Sequence, residues 1–453
     1  MVVVASLGLT LGFALSAGWR AYQVDVHPLR HLGEKARVEV TVSPSSDPKP
    51  VRGRSFDGRQ RWVVRADLRE YRRGDVIVRG GGAVVVLAGG DGWAGLSPGQ
   101  AITFDARVGQ PDRRDLTVAV LRAEGEPEIT GPLPWWQRIA GTVRAGLRAA
   151  AVRALPEEAA GLLPALVVGD TGGLSDSVRE EFEIAGLQHL CVVSGANFAI
   201  LGTAVLSVAR QFTLGPRASV GVAAAAMAMF VVIARPDPSV LRAAAMGAVT
   251  LLALLTGRRK QALPALCAAV IGVLLIWPDL AVSAGFALSV LATGGLILLA
   301  PSWADRLRGR GWWQLPAELV AVSAAAFTVT LPIMVALSGR VSVVAIAANV
   351  LVAPVVAPIT VAGAVAAAVA WLWSPLAQAV LAVAIAPMWW LLTVGDRAAA
   401  LPGAAIDVPG GTVGGIGAAV AVLAVVLFIR SRPVPVARVA GRPRSIPATG
   451  RGP

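Results

Sequence analysis

The sequence predicts a mainly α-helical, polytopic membrane protein that carries one small all-β domain near its N-terminus. Its 453 residues are 55% hydrophobic and only 15% charged, which is too apolar a balance for a soluble domain of this length. Several apolar runs reach about 18 residues, enough for a helix to cross a hydrocarbon core roughly 30 Å thick. After the first of these runs, the hydrophobic pattern changes to the alternation of β-strands.

The distribution of charged and metal-ligating residues narrows the function classes. The formal charge of +13 gathers in the first third, in the junctions between apolar runs and in the tail, where arginines ordinarily orient membrane spans. Cys191 and Cys267 lie in apolar sequence, which excludes a disulfide framework. His27, His31 and His189 are not spaced as metal ligands, and the sequence has no Gly-rich phosphate loop. We therefore expect no metal, no cofactor and no catalytic residue.

The first two predicted domains are a membrane helix and a barrel. Residues 1–20 form an apolar stretch ending in Trp19-Arg20. This stretch lacks the charged start of a signal peptide, so we interpret it as a retained transmembrane helix. Residues 21–131 contain five or six short alternating segments separated by turn residues, which predict a small closed barrel. An OB-like barrel fits strands with basic and aromatic residues, although periodicity alone does not separate it from other small barrels.

The remainder of the chain is predicted to be helical. Residues 132–160 contain Trp135-Trp136 near their start, and arginines recur after them at helical spacing. This pattern is typical of an amphipathic helix lying in the headgroup plane. Residues 161–430 hold the other apolar runs, which bring the total to about nine to eleven transmembrane helices. Residues 431–453 are rich in Arg and Pro and contain no acid. We expect this tail to be disordered and cytoplasmic, and the barrel to be extracytoplasmic.

Polar residues at membrane depth are the candidate functional residues, because each costs roughly 2.5–3.5 kcal/mol to insert. The densest group runs from Asp170 to Asn197, where an acidic helix leads into His189, Ser194 and Gly195 at the start of a span. This arrangement fits a wet, polar path through the membrane. It fits equally well a solvated helix beside which Ser194 and Asn197 only pack against neighbouring helices.

Two further candidate sites lie in the later apolar runs. Arg242 stands at the head of one run, where its side chain could instead snorkel to the interface. Asn349 lies with Pro354 and Pro358 in a long run. Prolines there predict a broken helix, whose freed backbone groups would line a water-filled path.

These motifs resemble those of the ComEC family of bacterial competence proteins. The most specific match is Gly169-Asp170, an acidic helix, and then the stretch GLQHLCVVSG at 186–195. Further matches are Arg242, Gly257-Arg258, Pro278, the segment GFALS that ends at Ser289, Pro332, and Asn349 with Pro354.

The chain also departs from the family pattern. Asn197 stands where many members have a second histidine, and Ala287 where many have glutamine, so a proton relay is not expected at that position. Many members also carry additional first spans and a metallo-β-lactamase-like domain, and these 453 residues contain neither.

The resemblance implies a channel that imports single-stranded DNA across the inner (plasma) membrane during natural transformation. It also implies partners, namely single-stranded DNA, membrane lipids, a DNA receptor, a cytoplasmic DNA translocase and a homo-oligomer of the chain itself. The residues expected to line the DNA path are Asp170, His189, Ser194, Gly195, Asn197, Arg242, Ser289, Asn349 and Pro354.

The predicted barrel has residue types that suit this role. Basic grooves with aromatic platforms bind single strands without sequence preference, and the barrel arginines lie among Phe56, Trp62 and Tyr71. Acids interleave with them, so a mixed solvated surface remains an alternative. The expected DNA-binding surface consists of Arg52, Arg54, Arg59, Arg61, Trp62, Arg65, Arg72 and Arg73.

Two other classes of function remain open. A permease for another solute would be expected to show paired inverted repeats around a central site, and an intramembrane enzyme would need a convergent catalytic set. We see neither pattern in the sequence, and we expect the chain not to be an enzyme.

Overall fold

The computed structural model describes residues 2–33, 36–54, 60–111, 116–191, 193, 195–235, 238–255 and 262–431. Apart from Ser431, the predicted tail therefore lies outside the described residues. A long helix precedes a β-barrel, and a larger helical domain follows. The elements are α1 (Val2–Asp25), β1 (Arg37–Pro44), β2 (Lys49–Arg54), β3 (Gln60–Arg73), β4 (Val76–Gly89), β5 (Ile102–Gly109), β6 (Thr117–Ile129), α2 (Trp135–Ala154), α3 (Glu157–Val168), α4 (Asp176–Ile184), α5 (Gly195–Gln211), α6 (Pro216–Ala234), α7 (Pro238–Leu255), α8 (Ala262–Ile276), α9 (Ala284–Leu298), α10 (Ala300–Arg308), α11 (Gln314–Ser338), β7 (Arg340–Ser342), α12 (Ala345–Ala370), α13 (Ser374–Ala382), α14 (Ile385–Ala399), β8 (Ala405–Asp407) and α15 (Gly411–Ser431).

The β-barrel is a closed ring of five strands, in the order β1-β3-β4-β6-β5 and back to β1. All pairs in the ring are antiparallel except β4 with β6, which run parallel. The short strand β2 pairs with β3 outside the ring. This connectivity is that of an OB-like barrel, which confirms the predicted all-β domain.

Alternating side chains fill the interior of the barrel. Val38, Val40 and Val42 of β1 point inward and are buried, as a period of two requires. Trp93 closes the core: its ring stands edge-on to Phe104 with centroids 4.9 Å apart. Its indole N–H donates to the Gly125 carbonyl at 3.1 Å, so the one polar atom of this buried ring has a partner.

The core of the helical domain is formed by α2, α3, α4, α12, α13 and α14, which bury one shared apolar cluster. Close approach of these helices depends on small residues. A Cβ on Gly363 of α12 would stand 2.3 Å from Val167 Cγ2, so only glycine lets α12 and α3 come this close. The helices α5, α6 and α7 pack on one another, and α1 packs on α8.

The described part of the chain contains fewer long apolar helices than the nine to eleven predicted. Four are long and apolar enough to cross a membrane, and a fifth is formed if the bent pair α13 and α14 acts as one span. Other apolar runs form shorter helices. The 15 residues of α8 rise only about 22 Å, less than a hydrocarbon core. The predicted class is confirmed, and the predicted number of spans is not.

The helix α12 is continuous from Ala345 to Ala370, so the predicted break at Pro354 and Pro358 is wrong. Both prolines lie on the exposed face of the helix, together with Leu351. The carbonyls that lose their helical donor to these prolines are those of Val350 and Pro354, four residues before each. On the same stretch of α12, the indole of Trp390 on α14 donates to the Leu351 carbonyl at 2.9 Å.

The helix α2 is present as predicted, and part of its apolar surface is packed against protein. Ala140, Val143 and Leu147 on that face are buried against neighbouring helices, among them α3, α12 and α13. Other apolar residues of α2, Trp135, Ile139 and Val152, are exposed. The structure thus makes α2 a packed element of the helical domain, and its predicted position in the headgroup plane stays a prediction.

Candidate functional site

Asp170 lies in a sharp turn at the end of α3. Gly169 ends the helix in the left-handed conformation, with φ 73°, which glycine adopts without steric cost. The Asp170 carboxylate then accepts from the backbone N–H of Gly172 at 3.2 Å. Both of its oxygens also contact one guanidinium nitrogen of Arg148 on α2. The Asp170 side chain is 13% exposed and that of Arg148 is 51% exposed, so solvent reaches this ion pair from the arginine side.

Arg144 lies one turn before Arg148 on the same face of α2. It is only 7% exposed, and its Nη1 donates to the Ile233 carbonyl at 2.8 Å. Burial lowers the pKa of the Arg144 guanidinium, and the nearby charge of Asp170 opposes that shift. A buried guanidinium needs an anion or several acceptors close by. Asp170 therefore forms an ion pair with Arg148 and also offsets part of the cost of burying the charge of Arg144.

The end of α6 joins this group to the barrel. Ile233 is near the last residue of that helix, and Arg235 follows with φ 67°, a positive value that is uncommon for a residue other than glycine. The Arg235 guanidinium forms an ion pair with Asp47, which lies in the loop after β1. We call Asp47, Arg144, Arg148, Asp170 and Arg235 the junction cluster. It spans the contact between barrel and helical domain.

Sequence reasoning found Asp170 but missed the other members of the junction cluster. Arg144 and Arg148 share one face of α2 through their spacing of four residues, a signal that we interpreted as lipid contact. Asp47 and Arg235 lie far apart in the chain and show no local pattern. Only the packing of the barrel on the helical domain pairs them.

Asn349 on α12 reaches the turn at Gly186, close in sequence to His189. Gly186 has φ 71°, and a Cβ there would stand 2.5 Å from the Cβ of Ala345. The Asn349 amide donates to the Gly186 carbonyl at 3.4 Å and to the Ala345 carbonyl at 2.8 Å. His189 follows Gly186 by three residues, in the short helical turn Gln188–Cys191, and is exposed. The Asn349 amide thus ties α12 to the turn that precedes His189.

Asn197 fits a packing role better than a channel-lining role. It is 5% exposed, and its amide donates to the Leu166 carbonyl at 2.8 Å, which ties α5 to the end of α3. Gly195 is the first residue of α5. The neighbouring Ser194 lies outside the described residues.

The remaining predicted lining residues lie elsewhere. Ser289 is half-buried on α9, which packs against α7, α8, α10 and α11. Pro354 is on the exposed face of α12. For Arg242 the structure describes the backbone, within α7, and not the side chain. The structure therefore does not bring the whole predicted set to one path.

Part of the predicted DNA-binding surface of the barrel is an exposed row of arginines, and its binding of DNA stays a prediction. Arg61, Arg65, Arg72 and Arg73 are exposed on β3. Trp62 packs against the barrel core, so it does not offer the free ring face that a base would need. Of the other predicted members, Arg59 lies outside the described residues, and only the backbone of Arg52 and Arg54 is described.

Acids are interspersed along this row. Arg72 pairs with Glu39 at 3.2 Å. Desolvation raises the pKa of the Asp67 carboxyl, and the neighbouring charge of Asp279 between α8 and α9 raises it further. Because the charge of Asp279 acts on Asp67, the outer face of β3 lies close to the helical domain. Tyr71, another aromatic residue of the predicted platform, is 4% exposed and belongs to the barrel core.

Comparison with known proteins gives two matches. The family model described as competence protein matches residues 166–433, more than half of the chain. ComE operon protein 3 of Bacillus subtilis (strain 168) is 28% identical over 212 residues, which are 47% of this chain and 26% of that protein. The chain thus spans about a quarter of the length of this curated relative. No solved structure matches the chain.

Proposed function

Because the chain belongs to the competence protein family, we propose that it forms a membrane channel that imports single-stranded DNA across the inner membrane during natural transformation. The observation that carries the proposal is the junction cluster, in which Arg144 and Arg148 lie beside Asp170 and Arg235 pairs with Asp47 of the barrel. A polyanion that crosses lipid needs a wet route lined by polar groups. Positive charge at the entrance of that route would attract its phosphates.

The barrel supplies the chemistry for receiving the strand. OB-like barrels bind oligonucleotides on their strand faces and loops. The exposed arginines of β3 can neutralise phosphates without reading bases. Since Trp62 and Tyr71 are packed in or against the core, the described aromatic residues add little stacking. We therefore expect binding to be electrostatic and sensitive to salt.

The distribution of arginines supports an extracytoplasmic barrel. The last residues of α6 contact the barrel through Arg235, while Arg210 and Arg217 lie at the other end of α5 and α6, about 28 Å away along a 19-residue helix. Arg306 and Arg308 likewise lie at the end of α10, remote from the start of α9 near the barrel. By the positive-inside rule, the arginine-rich ends face the cytoplasm.

We assign the chain conduction and no reaction of its own. The proposed partners are single-stranded DNA and lipids, together with a receptor that delivers DNA and a cytoplasmic translocase that pulls the strand. Assembly of several copies around one path belongs to the same proposal.

Uptake of labelled DNA tests this proposal. A strain that lacks the chain should bind labelled duplex DNA at its surface but fail to bring label into the cytoplasm. Complementation with the wild-type chain should restore uptake, and so should the matched variant Arg153→Gln, which changes an exposed arginine outside the junction cluster. Normal entry of label into the deletion strain would refute the channel and favour a permease for another solute.

A further inference from the structure

We propose that Arg144, Arg148 and Arg235 form a binding station for DNA phosphodiesters, and that Asp170 and Asp47 occupy it in the absence of DNA. Each carboxylate then acts as a stand-in for a phosphate, which the incoming strand displaces. This inference rests on the proposed function, because its ligand is the backbone of single-stranded DNA.

The geometry at Arg148 suits such an exchange. A guanidinium binds carboxylates and phosphates through the same donors, and both groups present oxygens of similar spacing. Both oxygens of Asp170 contact Arg148, so a phosphodiester could take the same position. The Arg148 side chain is half exposed, so a phosphate can reach it without unfolding α2.

The charge balance of the cluster favours an additional anion. Three arginines and two acids leave one net positive charge. Arg144 is the most buried of these three arginines, and burial desolvates its charged guanidinium. A phosphate beside it would offset that cost. The cluster is therefore built to hold more negative charge than its own two carboxylates provide.

The position of Asp47 connects the station to the barrel. Asp47 lies in the loop after β1, and its partner Arg235 lies at the end of α6. A strand that leaves the barrel along this loop meets Arg235 before it meets α2. The Arg235 side chain is 19% exposed, which keeps it near the surface of the junction and within reach of such a strand.

Equilibrium binding to the full chain tests the station. The chain is placed in phosphatidylcholine nanodiscs and titrated with fluorescein-labelled oligothymidylate at several salt concentrations. Arg148→Gln should weaken binding and reduce the magnitude of the slope of log K against log salt by about 0.7, the value for one lost phosphate contact on a single strand. Asp170→Asn should tighten binding by about threefold, since it releases Arg148 from an ion pair of modest strength. Arg153→Gln, on the same helix, should change neither quantity.

The opposite signs of the two effects distinguish the proposal from a purely structural ion pair. A structural pair predicts that Arg148→Gln and Asp170→Asn both weaken binding or leave it unchanged. Asp47→Asn repeats the test from the barrel side and should also tighten binding. If neither acid variant tightens binding in the folded chain, the station is refuted.

Two further outcomes are informative. A wild-type chain that binds no oligonucleotide refutes the proposed function itself, whereas a wild-type chain that binds but is insensitive to both acid variants refutes only the station. Nanodiscs that contain phosphatidylglycerol separate the two sources of phosphate. If Asp170→Asn increases retention of this lipid and leaves oligonucleotide affinity unchanged, the ligand is a headgroup and the assignment to DNA is overturned.

Discussion

The contact between Asn197 and the Leu166 carbonyl allows one prediction to be worked out in detail. The last four carbonyls of an α-helix have no partner within the helix, and Leu166 is one of them because α3 ends at Val168. The two preceding carbonyls, of Pro164 and Ala165, accept from the backbone of Asp170 and Gly169. The Asn197 amide, at 2.8 Å, is the side-chain partner for Leu166.

Replacement of Asn197 by Leu keeps the number and branching of the side-chain heavy atoms, although it adds volume, and it removes this donor. The buried carbonyl of Leu166 then loses its partner, which costs about 1–3 kcal/mol of unfolding free energy. We expect Asn197→Leu to lower the thermal midpoint of the purified chain in detergent and to reduce DNA uptake through a smaller amount of folded protein.

Ser207→Ala is the matched control for this variant. Ser207 lies on the same helix, is exposed, and bonds only within its own turn, to the Thr203 carbonyl. Its removal should change the unfolding free energy by less than about 0.5 kcal/mol. If Asn197→Leu keeps the wild-type midpoint and protein level but abolishes DNA uptake, Asn197 lines the path and the packing argument is wrong.

Four more outcomes follow from the structure. Gly186→Val should destabilise the chain by more than about 1 kcal/mol, because φ is positive and the new Cβ meets Ala345; a wild-type thermal midpoint would contradict this. Burial lowers the pKa of His27, whose Nδ1 accepts from the Leu29 N–H. The folded barrel therefore favours the neutral imidazole, so the contribution of His27 to barrel stability should be constant above about pH 6.5 and fall below it. His27→Gln should flatten that profile, measured by denaturant titration at several pH values. Pro354→Ala should leave uptake and thermal midpoint unchanged or slightly improved, since the proline occupies the exposed face of a continuous helix; loss of uptake in folded protein would return Pro354 to the path. Arg65→Glu should weaken oligonucleotide binding at low salt and have little effect at high salt, and equal weakening at both would refute an electrostatic role.

The membrane class and the barrel were predictable because both follow from local patterns. Apolar runs determine which segments avoid water, and an alternation of period two determines which side chains of a strand point inward. Val38, Val40 and Val42 show this directly, since every second residue from Val38 to Val42 is buried. These features depend on residues that are close together in the chain, so they can be predicted from the sequence alone.

Only those parts of the candidate site that are formed by residues adjacent in the sequence were predictable. The turn at Gly169-Asp170 and the glycine at 186 are visible as motifs. In contrast, the chain itself does not reveal that Trp62 packs against the core. It also does not reveal that α2 buries part of its apolar face against protein, because an amphipathic helix looks the same whether lipid or protein covers it.

What the sequence by itself determined is the class of the protein, the existence of the barrel and the position of its most polar segment. The tertiary structure decided which residues act together. Asp47 and Arg235 pair across two domains, and Asn349 reaches Gly186 from a distant helix. It also decided that α12 continues through Pro354 and Pro358, which both lie on its exposed face. The physical reason is that ion pairs and hydrogen bonds between distant segments depend on how whole elements pack, and local periodicity contains no information about that packing.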